Sequence, residues 1–206
     1  MIVQEADKFM PKLYLVRHGK ATAGWSEDYD PGLDELGRSQ AQRAAQVLKP
    51  LGILRIISSP LARACETAIP LAEAWGCSVE IEGRVGEIPP PSKGLKDRGL
   101  WLGEVMAQKW PDLSRDLKVW RKGIIEALLS LDSETVVFSH FIAINAAVGK
   151  ATGDERVLSF MPDNGSITVI NTENGRFQLV SLGNQGEAEL LAGVPEASSP
   201  SDNGLK

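Results

Sequence analysis

The chain has 206 residues, a formal net charge of −5 and an ordinary balance of 43 % hydrophobic and 24 % charged residues. That length is most simply one domain with a sizeable core. The acidic balance argues against a nucleic-acid partner, because phosphate-backbone binding needs a broad basic face; a local basic pocket for a small anion stays open.

The N-terminus, MIVQEADKFMPK, carries acidic residues and no long apolar run, so it does not read as a signal peptide. No stretch reaches the roughly 18 apolar residues of a membrane span. Cys65 and Cys77 are too few for a disulfide scaffold and lack metal-ligand spacing, and they read as small apolar residues of a reducing compartment. The expectation is a cytoplasmic protein with no membrane partner.

Residues 12–17 (KLYLVR) form an apolar run that predicts a buried parallel strand. A Gly-, Asp- and Pro-rich loop follows, and Asp34 reads as the N-cap of a helix reaching Leu48, stopped by Pro50 and Gly52. Residues 53–58 (ILRIIS) predict a second strand, Ser59-Pro60 opens a helix to Trp75 that Gly76 ends, and 78–82 predict a short third strand. Residues 83–98, with three consecutive prolines, read as irregular. Helical pattern returns over 99–109 and 112–130, then a buried strand over 134–139 and a helix from His140 to Lys150. Strands at 166–171 and 176–182 are joined by a turn at Glu173-Asn174-Gly175. The expectation is one domain over 1–185, with a cap-like region at 83–130, and a flexible Gly-, Ser- and Pro-rich tail over 186–206.

Strands alternating with helices predict an α/β fold: a three-layer α/β/α sandwich with a mostly parallel central sheet. In such sheets ligands sit at the carboxyl ends of the strands. That rule brings Arg17 and His18 to one edge with Ser58, Ser59 and Arg63, with Glu87, and with His140. The only two histidines of the chain thus occupy equivalent places.

Each candidate has a chemical reason. Arg17 is permanently charged and suited to bidentate phosphate contact, and Gly19 lets backbone approach a ligand closely. His140 stands at a helix N-terminus, which favours anions. Arg63 lies in the first turn of a helix, where the dipole disfavours a cation, so it invites an anionic partner. Glu87 beside two arginines is either ionised or, partly buried near a leaving group, a general acid.

With LYLVRHGKA at 13–21, LDELGRSQAQ at 33–42, IISSPLARACETA at 56–68, GRVGE at 83–87 and VVFSHFIAI at 136–144, the chain resembles the histidine phosphatase superfamily, the phosphoglycerate mutase-like proteins. These stretches stand in the family's order over 13 to about 171, most of the chain. The resemblance implies that fold and a phosphohistidine mechanism. His18 would be the nucleophile. Arg17, Arg63 and His140 would hold the phosphoryl oxygens, and Glu87 would protonate the leaving alcohol and then activate water. No metal or other cofactor is implied. Amides near Gly19 and Phe141 would add donors. Where relatives carry a polar residue, often Asn, this chain has Gly24, so that contact would be absent or supplied by Thr22 or Ser26.

The implied partner is a small phosphorylated substrate or a phosphoprotein. The short segment after Glu87, with only Lys93, Lys96 and Arg98 as cations, favours a phosphatase over a phosphoglycerate-type mutase. Trp101, Trp110 and Trp120 fall in the cap-like region, mainly as packing, with one of them a candidate to line the substrate pocket. A non-catalytic phosphate-binding domain is the reading from another class, and it ranks last because every chemical position is filled. Glu87 argues for oxygen esters over phosphohistidine as substrate.

Overall fold

Leu13, Tyr14, Leu15 and Val16 are all buried, as a strand covered on both faces requires. In the computed structural model, which describes residues 10–90 and 94–185, they form β1 (Lys12–Arg17). Side chains alternate across a strand, and the packing follows. Leu13 and Leu15 join one core cluster, Tyr14 and Val16 the other.

The second strand, β2 (Arg55–Ser58), and α1 (Glu35–Leu48) before it are followed by α2 (Ala62–Trp75) and β3 (Glu80–Ile81). Then come α3 (Leu95–Met106), α4 (Arg115–Leu129), β4 (Thr135–Ser139), α5 (Phe141–Thr152), β5 (Ile167–Glu173) and β6 (Arg176–Ser181). The six strands lie in the order β3-β2-β4-β1-β5-β6. The first four run parallel; β5 is antiparallel to β1, and β6 to β5. Ala44, Leu48, Leu71 and Trp75 of α1 and α2 cover one face. Ile124, Leu128, Ile144 and Val148 of α4 and α5 cover the other. The three-layer α/β/α architecture with a mostly parallel sheet is therefore the fold.

Asp34 caps α1 by accepting the Gly37 N–H at 2.6 Å, and Gly76 ends α2 at φ +65°. Most element ends differ from the sequence reading by one to a few residues, and three differences have a plain cause or consequence. The strand predicted from residue 53 starts at Arg55, because Ile53 is 71 % exposed ahead of the sheet. The third strand is two residues long, since it pairs only with β2 at the sheet edge. The segment 83–98 is not irregular throughout: Gly83–Val85 form a helical turn and α3 begins at Leu95, carrying Arg98 on its second turn. The tail 186–206 and Lys93 lie outside the described residues, as does the side chain of Lys96.

A third cluster stands at the carboxyl end of the sheet. Ile88, Leu102, Val105, Met106, Trp110 and Leu117 pack there on Phe141 and Ile142 at the start of α5. Trp101 and Trp120 lean on the same cluster, and Trp120 stacks on Trp110 with ring centroids 6.0 Å apart. Among the described residues, no helix is long and apolar enough to cross a membrane.

Candidate active site

Strand register makes the site. Arg17 pairs with Ser139 across β1 and β4, and Ser58 pairs with Phe138 across β2 and β4. The next residues of three adjacent strands, His18, His140 and Ser59, therefore leave the sheet side by side. The ladders continue one step further: His18 N–H donates to Ser139 O and Ser59 N–H to Phe138 O, each at 3.0 Å. The two imidazole rings end with centroids 5.1 Å apart.

His18 is 7 % exposed, and its Nδ1 lies 2.7 Å from the carbonyl oxygen of Gly19. A carbonyl only accepts, so Nδ1 carries the proton and Nε2 keeps its lone pair. Arg63 Nε donates to that Nε2 at 3.3 Å. Burial, then the charges of Arg17 and Arg63, hold the His18 pKa well below 6.5. The ring is thus a neutral imidazole with its nucleophilic nitrogen facing a guanidinium. Asn164 Nδ2 donates to the His18 carbonyl at 3.0 Å and steadies the strand end.

Arg17 Nη1 donates to Pro162 O at 2.8 Å, and its guanidinium lies 4.9 Å over the Phe141 ring. Arg63 is buried on the first turn of α2, with Nη1 3.8 Å from Asp30 Oδ1. Burial lowers its pKa while the nearby charges of Glu87 and Asp30 raise it; as an arginine it stays cationic. The same Asp30 oxygen accepts the Ala62 N–H at 2.8 Å, so it caps α2 and steers Arg63 together.

Glu87 is 8 % exposed and accepts the Ile88 N–H at 2.9 Å and the Ile142 N–H at 3.2 Å, one on each carboxyl oxygen. Burial raises its pKa above 4.5, against those two amides and the charges of Arg63 and Arg17. A carboxyl pushed up in this way is suited to hold a proton and hand it over. His140, fully buried, lies with Nε2 2.8 Å from Ser59 Oγ.

Arg17, His18, Arg63, Glu87 and Phe141 line one pocket that opens to solvent, and Arg98 lines it with them. Arg98 is 6 % exposed and sits between Trp25 and Tyr29, at 5.4 Å and 5.0 Å from their ring centroids. The sequence reading treated Arg98 as one loop cation among three; the helix of residues 95–106 turns it inward instead. Trp25 and Tyr29 were not singled out at all. Aromatic residues in a Gly- and Asp-rich loop were the available signal.

Four residues expected to contact the ligand are placed differently from that reading. The Gly19 N–H donates to Thr67 Oγ1 at 3.0 Å and is not available to a ligand. Gly19 lacks a side chain because a Cβ there would overlap the Gly37 carbonyl. Thr22 is exposed, donates its backbone N–H to Gly32 O at 2.9 Å, and does not line the cavity. Ser26 does not line it either, whereas Gly24 does. Phe141 reaches the cavity through its ring, while the next amide of α5, Ile142, is taken by Glu87. Among the described residues, no cluster of three or more His, Cys, Asp or Glu is placed to hold a metal ion.

Comparison with known proteins agrees with this geometry. A family model described as the histidine phosphatase superfamily (branch 1) matches residues 13–90. A 2,3-bisphosphoglycerate-dependent phosphoglycerate mutase of Thermoplasma acidophilum is 31 % identical over 184 residues, 82 % of this chain and 90 % of that protein. The chain belongs to the histidine phosphatase superfamily. Phosphoserine phosphatase 1 of Hydrogenobacter thermophilus is 29 % identical over 202 residues, covering 84 % of this chain and 92 % of that one. The solved structure of a mycobacterial glucosyl-3-phosphoglycerate phosphatase in complex with VO3 aligns with a TM-score of 0.67 at 26 % identity, over 85 % of this chain and all of that one.

Proposed function

We propose that the protein is a phosphatase that hydrolyses a small phosphate monoester through a phosphohistidine on His18, without a metal. The observation that carries this reading is the state of His18. Its Nδ1–H is anchored on the Gly19 carbonyl, its Nε2 lone pair is kept, and Arg17 and Arg63 flank it. A neutral nucleophile beside two cations is what attack on a phosphate dianion needs.

In the first step Nε2 forms a bond to phosphorus as the ester P–O bond breaks. Glu87 gives its proton to the leaving oxygen, and Arg17, Arg63 and His140 take the charge on the remaining oxygens. In the second step Glu87, now ionised, removes a proton from a water that attacks phosphorus. The P–N bond breaks, and inorganic phosphate leaves with His18 neutral again. The third cation, Arg98, favours a substrate with a second acidic group. The names of the relatives, phosphoglycerate, phosphoserine and glucosyl-3-phosphoglycerate, belong to compounds of that kind.

A mutase is the second reading, favoured by the identity to the Thermoplasma acidophilum protein. Hydrolysis of p-nitrophenyl phosphate in the presence of EDTA, wild type against His18→Ala, tests the proposal. Turnover that survives EDTA and disappears in the variant supports it. Folded wild type that turns over no ester in a panel including phosphoserine and 3-phosphoglycerate contradicts it, and phosphoglycerate isomerisation that depends on a bisphosphorylated primer would favour the mutase.

A further inference from the structure

The cluster contains one polar group whose role the proposed reaction leaves open. Ser59 is fully buried at the end of β2. Its Oγ accepts the Leu61 N–H at 3.2 Å and lies 2.8 Å from His140 Nε2. Among the described residues, no other acceptor lies within reach of its hydroxyl proton. His140 Nδ1, on the opposite side of the ring, is buried and has no hydrogen-bond partner among the described residues.

Two arrangements of protons are conceivable. If His140 carried its proton on Nε2, the serine would accept twice, its own proton would be left over, and Nδ1 would be a bare buried lone pair. If the serine donates to Nε2, every group but one is satisfied, and the one left is an Nδ1–H donor. Buried groups without partners are costly, so the second arrangement is favoured. Its one open group is also of the kind that a phosphoryl oxygen would fill.

We infer that Ser59 is a positioning residue that holds His140 in the Nδ1–H form, making it a neutral donor and denying it the role of nucleophile. This rests on the phosphohistidine reading. Both rings then carry the same tautomer and do opposite work. His18 anchors its N–H on backbone and turns its lone pair to Arg63 Nε at 3.3 Å, a cation that an arriving phosphate draws away; His140 has its lone pair held at 2.8 Å by Ser59 and offers its N–H. The environment is consistent with a neutral ring: burial, and then the neighbouring His18, Arg63 and Arg17, keep the His140 pKa well below 6.5. A neutral donor adds no charge to a pocket that already holds two arginines. Ser59 is itself fixed in place, since its carbonyl accepts from Ser58 Oγ at 2.9 Å and Cys65 Sγ at 3.1 Å.

Nitrogen-15 NMR of the resting protein decides the point, because the chain has only two histidines and both lie in the site. The variant His18→Ala leaves the His140 pattern alone. Near neutral pH, the wild type is expected to give His140 with Nδ1 protonated and Nε2 bare. Ser59→Ala moves it toward Nε2–H, and Ser59→Thr, which keeps the hydroxyl, restores the original pattern. The value of kcat/KM for p-nitrophenyl phosphate falls about 10- to 100-fold in Ser59→Ala, the scale on which supporting partners of site histidines act. A wild-type His140 protonated on Nε2, or a Ser59→Ala protein with unchanged tautomer, overturns the inference. The readout needs no substrate. A tautomer that shifts as expected in a protein that hydrolyses nothing would therefore sink the phosphatase reading and leave Ser59 in its role.

Discussion

Two charged pockets stand out among the described residues, and the proposed reaction uses only one of them. The larger lies along the β3 edge against α4. Its arginines are paired: Arg55 with Glu80 at 2.7 Å and Arg84 with Glu82 at 2.6 Å, all near solvent. The smaller holds Arg17, Arg63 and Arg98 around the buried carboxyl of Glu87, with Asp28 exposed on its lining and Asp30 3.8 Å from Arg63. Exposed, mutually satisfied pairs contribute little and attract nothing. Three arginines converging around one buried carboxyl make a local field suited to an anion. Volume is the wrong guide here; the gathering of arginines beside the strand ends is the right one.

Substitutions sharpen that contrast, from the largest effect to the smallest. His18→Ala should abolish turnover of p-nitrophenyl phosphate, a loss of at least about 10³-fold, because the nucleophile itself is gone. Arg63→Ala should lower kcat/KM by about 10²- to 10³-fold, the scale of one lost charge-stabilising donor. Glu87→Gln should cost about 10²-fold with an alkyl phosphate, whose leaving group needs a proton, and much less with p-nitrophenyl phosphate in the step that breaks the ester bond. Single-turnover kinetics with both substrates checks this. Arg98→Ala should weaken kcat/KM by about tenfold for a substrate with a second acidic group, the scale of one lost charged contact, and spare p-nitrophenyl phosphate. Arg55→Ala, in the larger cavity, should leave kcat/KM unchanged and shift stability by at most about 1 kcal/mol in denaturant unfolding. A strong loss of activity in Arg55→Ala would break the comparison.

The pH behaviour follows from the same burial. His18 is held below 6.5, so it stays an unprotonated nucleophile as pH falls through that value. Glu87 is raised above 4.5, so it keeps its proton to higher pH than an exposed carboxyl. The profile of kcat/KM for an alkyl phosphate should be a bell set toward acid, limited below by protonation of His18 and above by ionisation of Glu87. The two histidines also link stability to pH. Unfolded imidazoles take up protons below 6.5 that the buried rings refuse, so stability should fall as pH drops through 6.5.

Much of this was legible in the sequence, for identifiable reasons. Apolar runs ending in Arg17-His18 and Ser139-His140 announce buried strands, and the strand-end rule then assembles the site without coordinates. What stayed hidden depends on contacts that no local pattern encodes. The Gly19–Gly37 approach joins a strand end to a helix start, and Gly19 was read as making room for a ligand. Arg98 looked like one more loop charge because three prolines and Gly94 precede it, yet α3 turns it between Trp25 and Tyr29, some seventy residues away along the chain. Asn164 and Pro162 support His18 and Arg17 from nearly 150 residues downstream. The strand-end rule brings Ser59 to the same edge but gives it no role, since its partner His140 follows the neighbouring strand.

The central claim is that phosphorus bonds to His18 Nε2 during turnover. The direct measurement is rapid acid-free quenching of wild type with a phosphate ester, followed by peptide mass spectrometry. The account predicts a phosphoryl group on the peptide containing His18, stable in base, labile in acid, and absent from His18→Ala. A phosphoryl group on another residue, or undiminished turnover in His18→Ala, would contradict it.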